Sequence, residues 1–211
     1  MSGRGVGVNM FYDAVENRHG LKHDPFKALV VPRPIGWIST LDRDGRVNLA
    51  PYSFFNAFAT NPHIVAFGST GWKHSATNAD EGGEFVCNLA TWELRGQVNQ
   101  SSAPYPAGVD ELAMAGLTAV PSRIVKPPRV AESPVALECR HLQTIPLIGL
   151  DGADTDQWLV LGQVVGIHID ERLIVDGMVD ITRARPIARL GYMDYSVVDD
   201  VFQMQRPTLE T

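Results

Sequence analysis

The chain has 211 residues, of which 45% are hydrophobic, and its formal net charge at pH 7 is −6. This length and composition predict one soluble globular domain with a substantial core. The acidic balance argues against a broad nucleic-acid-binding surface. Without a run of about 18 apolar residues or an apolar leader, we expect neither a membrane span nor secretion, and therefore a cytoplasmic location.

The first predicted elements follow a glycine-rich start. Residues 1–22 are predicted to form a tail that is mobile or lies at a dimer interface, and residues 23–211 to form a single domain. Residues 35–41 are a β-branched and aromatic run. The Asp-Gly turn at residues 44–45 predicts a hairpin into a second strand over residues 47–50.

Short strands and helices alternate through the middle of the chain. Strands are predicted over residues 64–67 and 85–89, with a short helix between them over residues 73–81 that ends at Gly82 and Gly83. Further along, Thr91 is predicted to cap a helix that runs to about Val98, and residues 110–115 are predicted to form one turn closed by Gly116.

The second half of the chain is predicted to be mostly β structure. Strands are expected over residues 135–142, 157–170 and 187–190. Gly162 and Gly166 interrupt the longest of these runs and predict bulges or strong bending. Short strands joined by Gly and Pro turns, with a few short helices, predict a β-barrel.

The residues around the predicted helix at 73–81 indicate an anion site. A helix N-terminus presents unpaired N–H groups, and the side chains of Lys73, Ser75, Thr77 and Asn78 add donors suited to a phosphomonoester. The alternative is a Ser75 that caps a surface helix and a Lys73 that is solvated.

The segment from Tyr52 to Asn56 combines aromatic and polar side chains, as a planar heteroaromatic ligand requires. Ser53 and Asn56 are candidates for pairing with the polar edge of such a ring, since buried polar groups must find partners. Phe54 and Phe55 are candidates for its apolar slot. The alternative for each phenylalanine is ordinary core packing.

A third segment, residues 33–40, has a cation and two hydroxyls. Arg33, Ser39 and Thr40 are candidates for contacts with the phosphate of the same ligand and with the chain that joins it to the ring, and the alternative for Arg33 is a solvated surface position. Trp37 is expected in the core or at a dimer interface.

Other reactive residues lack the spacing of a known site. Cys87 and Cys139 are expected to be buried free thiols. The six histidines show no metal-ligand spacing, and His168 is expected to face solvent or the opposite side of its strand. The chain has no hydrolase elbow, phosphate-binding loop or dinucleotide fingerprint.

Taken in order, these segments resemble the flavin reductase-like, FMN-binding split-barrel family, in its flavoredoxin and two-component monooxygenase reductase branch. The resemblance covers about residues 25–207. The segments that carry it are residues 33–35, 39–40, 48–56, 73–78, 84–89, 133–139 and 189–195. The chain departs from the family pattern at Tyr52, His74, Ser75, Tyr192 and Met193.

The resemblance implies a Greek-key split β-barrel, a homodimer, bound FMN, and hydride transfer from NADH or NADPH to the flavin. It requires no acid or base from the protein, since the cofactor carries the chemistry. Reduced flavin would pass to a monooxygenase or another redox partner. The alternatives are an electron carrier with permanently bound FMN, like flavoredoxin, and a flavin-binding protein without turnover.

Overall fold

The computed structural model describes residues 9–208, so residues 1–8 of the predicted tail lie outside it. The α-helices are α1 (Phe26–Leu29), α2 (His74–Gly82), α3 (Arg95–Gln100) and α4 (Glu111–Met114). The strands are β1 (Arg33–Pro34), β2 (Gly36–Leu41), β3 (Val47–Tyr52), β4 (Phe55–Thr60), β5 (His63–Thr70), β6 (Glu84–Leu89), β7 (Ala119–Val120), β8 (Arg129–Val130), β9 (Val135–Ile148), β10 (Asp154–Ile169), β11 (Ile174–Val175), β12 (Met178–Val179), β13 (Ile187–Arg189) and β14 (Tyr195–Val197). Short 3-10 helices lie at Glu171–Leu173 and Ile181–Arg183.

A seven-stranded antiparallel sheet in the order β3-β2-β6-β9-β10-β5-β4 forms the main body. A three-stranded sheet in the order β1-β13-β14 lies beside it. The prediction of a mainly β fold with a few short helices is thus confirmed. No helix within residues 9–208 is long and apolar enough to cross a membrane.

The core covers both faces of the central strands. Successive side chains of a strand point to opposite faces, and Trp37 and Ile38, neighbours on β2, belong to two different buried clusters. Trp37 packs with residues such as Leu49 and Leu112, and Ile38 packs with residues such as Phe67 and Phe85. Trp37 is fully buried, which confirms its expected place in the core.

The strand predictions are confirmed in position, and two details of the local predictions are wrong. Thr91 does not cap a helix, because it bridges to Pro186 and the helix that follows begins only at Arg95. The strand β4 was not expected, because its sequence alternates little, and it pairs with β5 as a hairpin across Asn61 and Pro62.

The glycines of β10 have the predicted effect on its ladder. The register of β10 against β9 shifts between Leu161 and Gly162 and again between Val164 and Gly166. At Gly162 an added Cβ would lie 2.4 Å from Cζ of Phe85. The absence of a side chain at Gly162 therefore allows the Phe85 ring to pack directly against the backbone of the long strand.

The two predictions about cysteine and histidine side chains agree with the structure. Cys87 and Cys139 are free and buried, as expected. His168 lies on the opposite side of β10 from its exposed neighbours Ile167 and Ile169, which is one of the two expected placements. On that side its Nε2 contacts Oε1 of Glu138, a β9 side chain with no exposed surface, and this partner could not be read from alternation alone.

Candidate functional site

The predicted anion segment opens onto a cavity of about 500 Å³ at the start of α2. Lys73 is the N-cap residue of this helix, and it lines the cavity. Ser53 and Phe54, from the turn between β3 and β4, line the same cavity with Ser75. The fold therefore brings four predicted site residues from two distant segments together.

Lys73 has no ion-pair partner in the part of the chain that the structure describes. Among residues 9–208, no carboxylate lies within ion-pair distance of its ammonium group. The first N–H groups of α2 lie beside it and also favour negative charge. This end of the cavity is therefore suited to an anion.

A buried polar network forms the floor below Lys73. The hydroxyl of Ser75 accepts a hydrogen bond from Nδ2 of Asn48 at 2.9 Å. Burial raises the pKa of Tyr52, and the hydroxyls of Ser75 and Ser69 act in the opposite direction. Ser75 therefore has two side-chain neighbours and does not serve as the helix cap, since α2 has no side-chain cap bond.

Glu111 is a wall residue of this cavity that the sequence analysis did not single out. It is 5% exposed, and its Oε2 accepts the N–H of Leu49 at 3.0 Å. Burial raises its pKa, and the hydrogen bond from Leu49 acts in the opposite direction. In the sequence, Glu111 is marked only as an acidic residue that directly follows Asp110 at a helix start. Its burial becomes visible only in the fold.

We expect the Glu111→Ala variant to lose about 1–3 kcal/mol of unfolding free energy, because the buried N–H of Leu49 loses its acceptor. Glu111→Gln keeps an acceptor and should lose less. The pKa of Glu111 is raised in the folded state, so the folded protein favours the protonated carboxyl. As the pH rises and this carboxyl ionises, the wild type therefore loses stability.

Denaturant titrations between pH 4 and pH 8 test both statements about Glu111. The stability of Glu111→Gln relative to the wild type should increase as the pH rises. A relative stability that decreases with pH would show that the folded protein favours the ionised carboxylate.

The remaining residues of the predicted ring segment lie away from the cavity. The Phe55 ring packs against Gly36 and the core cluster around Phe67. Asn56 is exposed, and its Oδ1 accepts the N–H of Ala57. Both residues belong to β4, where alternation places them on opposite faces, and neither lines the cavity.

Arg33 is buried rather than solvated, with 6% of its surface exposed. Its guanidinium donates to the carbonyl oxygens of Lys27, Val30 and Leu190, the last two at 2.7 and 2.8 Å. Burial lowers its pKa, as does the nearby Arg189. Within the protein, Arg33 therefore ties the segment around α1 to the chain after β13.

The other predicted polar residues lie in the interior below the cavity. Ser39 donates to the carbonyl of Pro128 at 2.6 Å and accepts a bond from Asn88. Thr40 accepts a bond from Nδ2 of Asn78 at 3.0 Å, which joins β2 to α2. Ser39 and Thr40 are fully buried, and Asn78 is 7% exposed.

A second cavity of about 830 Å³ adjoins the first. Pro51, Ser53 and Ser102 line both cavities, so the two form one continuous trough. Arg33 lines the larger cavity, as do Tyr192 and Met193, two of the positions that depart from the family pattern. Residues of the predicted tail that the structure describes also contribute to its wall, namely Tyr12, Ala14 and Asn17.

The sequence and fold match known proteins over most of the chain. The model of the flavin reductase like domain matches residues 28–187. An uncharacterized protein of Halalkalibacterium halodurans is 37% identical over 186 residues, which cover 85% of this chain and 88% of that protein.

Solved structures of known proteins have a similar fold. Nitrilotriacetate monooxygenase component B from Bacillus cereus superposes with a TM-score of 0.79 at 30% identity, covering 87% of this chain and 94% of that one. A protein of Shewanella frigidimarina with a split barrel domain gives a TM-score of 0.77 at 22% identity, covering 86% and 90%. The predicted split-barrel fold is thereby confirmed.

Proposed function

Because the chain belongs to the flavin reductase-like family, we propose that it binds FMN and transfers hydride to the flavin from NADH or NADPH. One observation carries the proposal. Lys73, without an ion-pair partner among residues 9–208, meets the start of α2, Ser75, Ser53 and Phe54 in one cavity. This cavity continues into a larger one that can admit a second substrate.

The donors of the cavity fit the parts of FMN. Lys73 and the first N–H groups of α2 would hold the phosphate, and Ser75 would add a hydroxyl from the floor. Ser53 and Phe54 would lie against the ring, where the cavity joins the larger one. FMN, when bound, supplies a ring that accepts a hydride.

The buried residues from the other predicted segments would position these contacts. Thr40 and Asn78 fix α2 on β2, and therefore fix the height of Lys73 above the sheet. Arg33 lies 5.8 Å from the Phe54 ring, so it would hold the wall on which the flavin rests. The protein would contribute alignment of two substrates rather than an acid or a base.

The relatives extend the proposal to partners. Nitrilotriacetate monooxygenase component B from Bacillus cereus is similar in fold and 30% identical, which supports a protein that supplies reduced flavin to a monooxygenase. We also propose a homodimer, supported by apolar side chains such as Phe11, Val15 and Phe202, which are 84–90% exposed in the single chain. Light scattering of the purified protein tests the oligomeric state.

Purified protein is expected to carry FMN or to take it up at micromolar concentration, and then to oxidise NADH or NADPH. An absorption spectrum followed by titration with each nicotinamide measures both steps. A protein without flavin affinity at micromolar FMN would refute the proposal. Slow bleaching of bound FMN by both nicotinamides, with rapid bleaching by a reduced redox protein, would instead identify an electron carrier.

A further inference from the structure

A small aromatic groove of about 210 Å³ adjoins the larger cavity. Trp92 and Tyr195 form its sides, and the apolar side chains of Val98, Ile187 and Val197 line it. We call this surface the Trp92 groove. Its volume is below the roughly 300–1,000 Å³ of sites that enclose a whole ligand, so it is suited to one moiety of a longer molecule.

Three arginines surround the aromatic rings of the groove. Cζ of Arg95 lies 4.0 Å from the Trp92 ring centroid, and Cζ of Arg185 lies 5.7 Å from it. Cζ of Arg189 lies 4.5 Å from the centroid of Tyr195. Stacked guanidiniums of this kind are well placed for phosphate groups, which they bind in a bidentate manner.

The positive charge of the groove is mostly uncompensated. Arg185 pairs with Glu93 at 3.0 Å. Within residues 9–208, neither Arg95 nor Arg189 has a carboxylate in ion-pair distance, and both donate to backbone carbonyls. A cationic patch on a chain with a net charge of −6 indicates an anionic ligand.

The groove is continuous with the proposed flavin site. Val98, Asn99 and Tyr195 line both the groove and the larger cavity. The larger cavity in turn meets the cavity of Lys73 at Ser53 and Ser102. A ligand that reaches the flavin ring with one end can therefore place its other end beside Trp92.

We infer that the Trp92 groove binds the adenosine diphosphate half of the pyridine dinucleotide, an inference that rests on the proposed reductase function. The adenine lies between the aromatic side chains, and Arg95 and Arg189 hold the phosphates. The nicotinamide half then lies in the larger cavity, next to Ser53.

The test compares two hydride donors in the FMN-loaded protein. NADH or NADPH has the adenosine half, whereas reduced nicotinamide mononucleotide lacks it. The variants Trp92→Ala and Arg95→Ala should raise the KM for the dinucleotide about tenfold or more. They should change the mononucleotide reaction and the FMN affinity less than twofold. Arg43→Ala, which removes an exposed arginine paired with Glu81, is the matched control and should change neither.

A binding measurement gives a readout that does not depend on turnover. ADP-ribose should bind the wild-type protein in calorimetry, and Trp92→Ala should weaken that binding about tenfold. Equal losses for both hydride donors, or unchanged dinucleotide kinetics and ADP-ribose binding, would overturn the inference and leave the reductase function standing. A wild type that oxidises neither donor would refute the reductase function, and the ADP-ribose titration would still decide whether the groove is a nucleotide site.

Discussion

Replacement of Glu138 by alanine is expected to cost about 3–5 kcal/mol of unfolding free energy, the largest stability loss that we predict. The Glu138 carboxylate is fully buried and accepts the N–H groups of Arg123, Ile124 and Val125 at 2.6–3.0 Å. It also contacts Nε2 of His168. The variant would leave these donors without an acceptor inside the protein.

Two further variants distinguish the loss of the buried Glu138 carboxylate from the effect of removing any glutamate that accepts a backbone hydrogen bond. Glu138→Gln has one acceptor oxygen and points an NH₂ group at backbone donors, so it should lose nearly as much stability as alanine. Glu132 also accepts a backbone N–H, from Thr118, but it is exposed. Glu132→Ala should therefore cost less than about 1 kcal/mol. Equal losses at Glu132 and Glu138 in urea titrations would contradict the prediction.

The pH dependence of stability gives a second measure of Glu138. Burial alone would raise its pKa, but the hydrogen bonds from Arg123, His168, Ile124 and Val125 outweigh it and lower the pKa from 4.5 to about 2. A lowered pKa means that this stabilisation is present above pH 4.5 and is lost as the pH falls towards 2. Glu138→Gln should remove that part of the acid sensitivity.

The sequence was sufficient to predict the central strands of the main sheet and the helix at the site. β2 and β6 are short apolar runs flanked by turn residues, and α2 ends at Gly83 in a left-handed conformation with φ of 72°. These signals act within a few residues of the chain, so they can be interpreted without knowledge of the fold.

The surroundings of buried polar residues could not be predicted in the same way. Glu111 and Glu138 are charged side chains whose partners lie 62 and up to 30 positions away along the chain. Propensity and periodicity do not report such pairs, because only tertiary packing decides which donors meet a carboxylate. The same reason applies to Arg33, because one of its carbonyl partners, Leu190, lies 157 positions away along the chain.

In the candidate site, the types of residue in each motif predicted the kind of ligand. The position of a residue within its motif did not predict whether that residue lines the cavity. Lys73, Ser75, Ser53 and Phe54 line one cavity, whereas Ser39, Thr40 and Asn78, from the same motifs, lie below it. Alternation along a strand separates neighbours in a motif onto different faces. The role of each motif residue in flavin binding stays a prediction, and the variants at Lys73 address it most directly.

The Lys73→Ala variant is expected to bind FMN ten- to a hundredfold more weakly than the wild type. A charge-assisted hydrogen bond is worth about 1.5–3 kcal/mol, and Lys73 has no competing ion-pair partner among residues 9–208. Riboflavin lacks the phosphate, so its affinity should change less than twofold. Fluorescence quenching of each flavin on titration with protein measures both constants.

Salt and a control variant isolate the contribution of charge at Lys73. Lys126, another exposed lysine, does not line the cavity, and Lys126→Ala should leave both flavin affinities unchanged. Because charge interactions at an exposed lysine are screened, the difference between wild type and Lys73→Ala should shrink as salt is raised from 0.05 to about 0.5 M. Equal losses for FMN and riboflavin would place Lys73 at the ring, and the phosphate would then have to lie at the other end of the trough, beside Arg189.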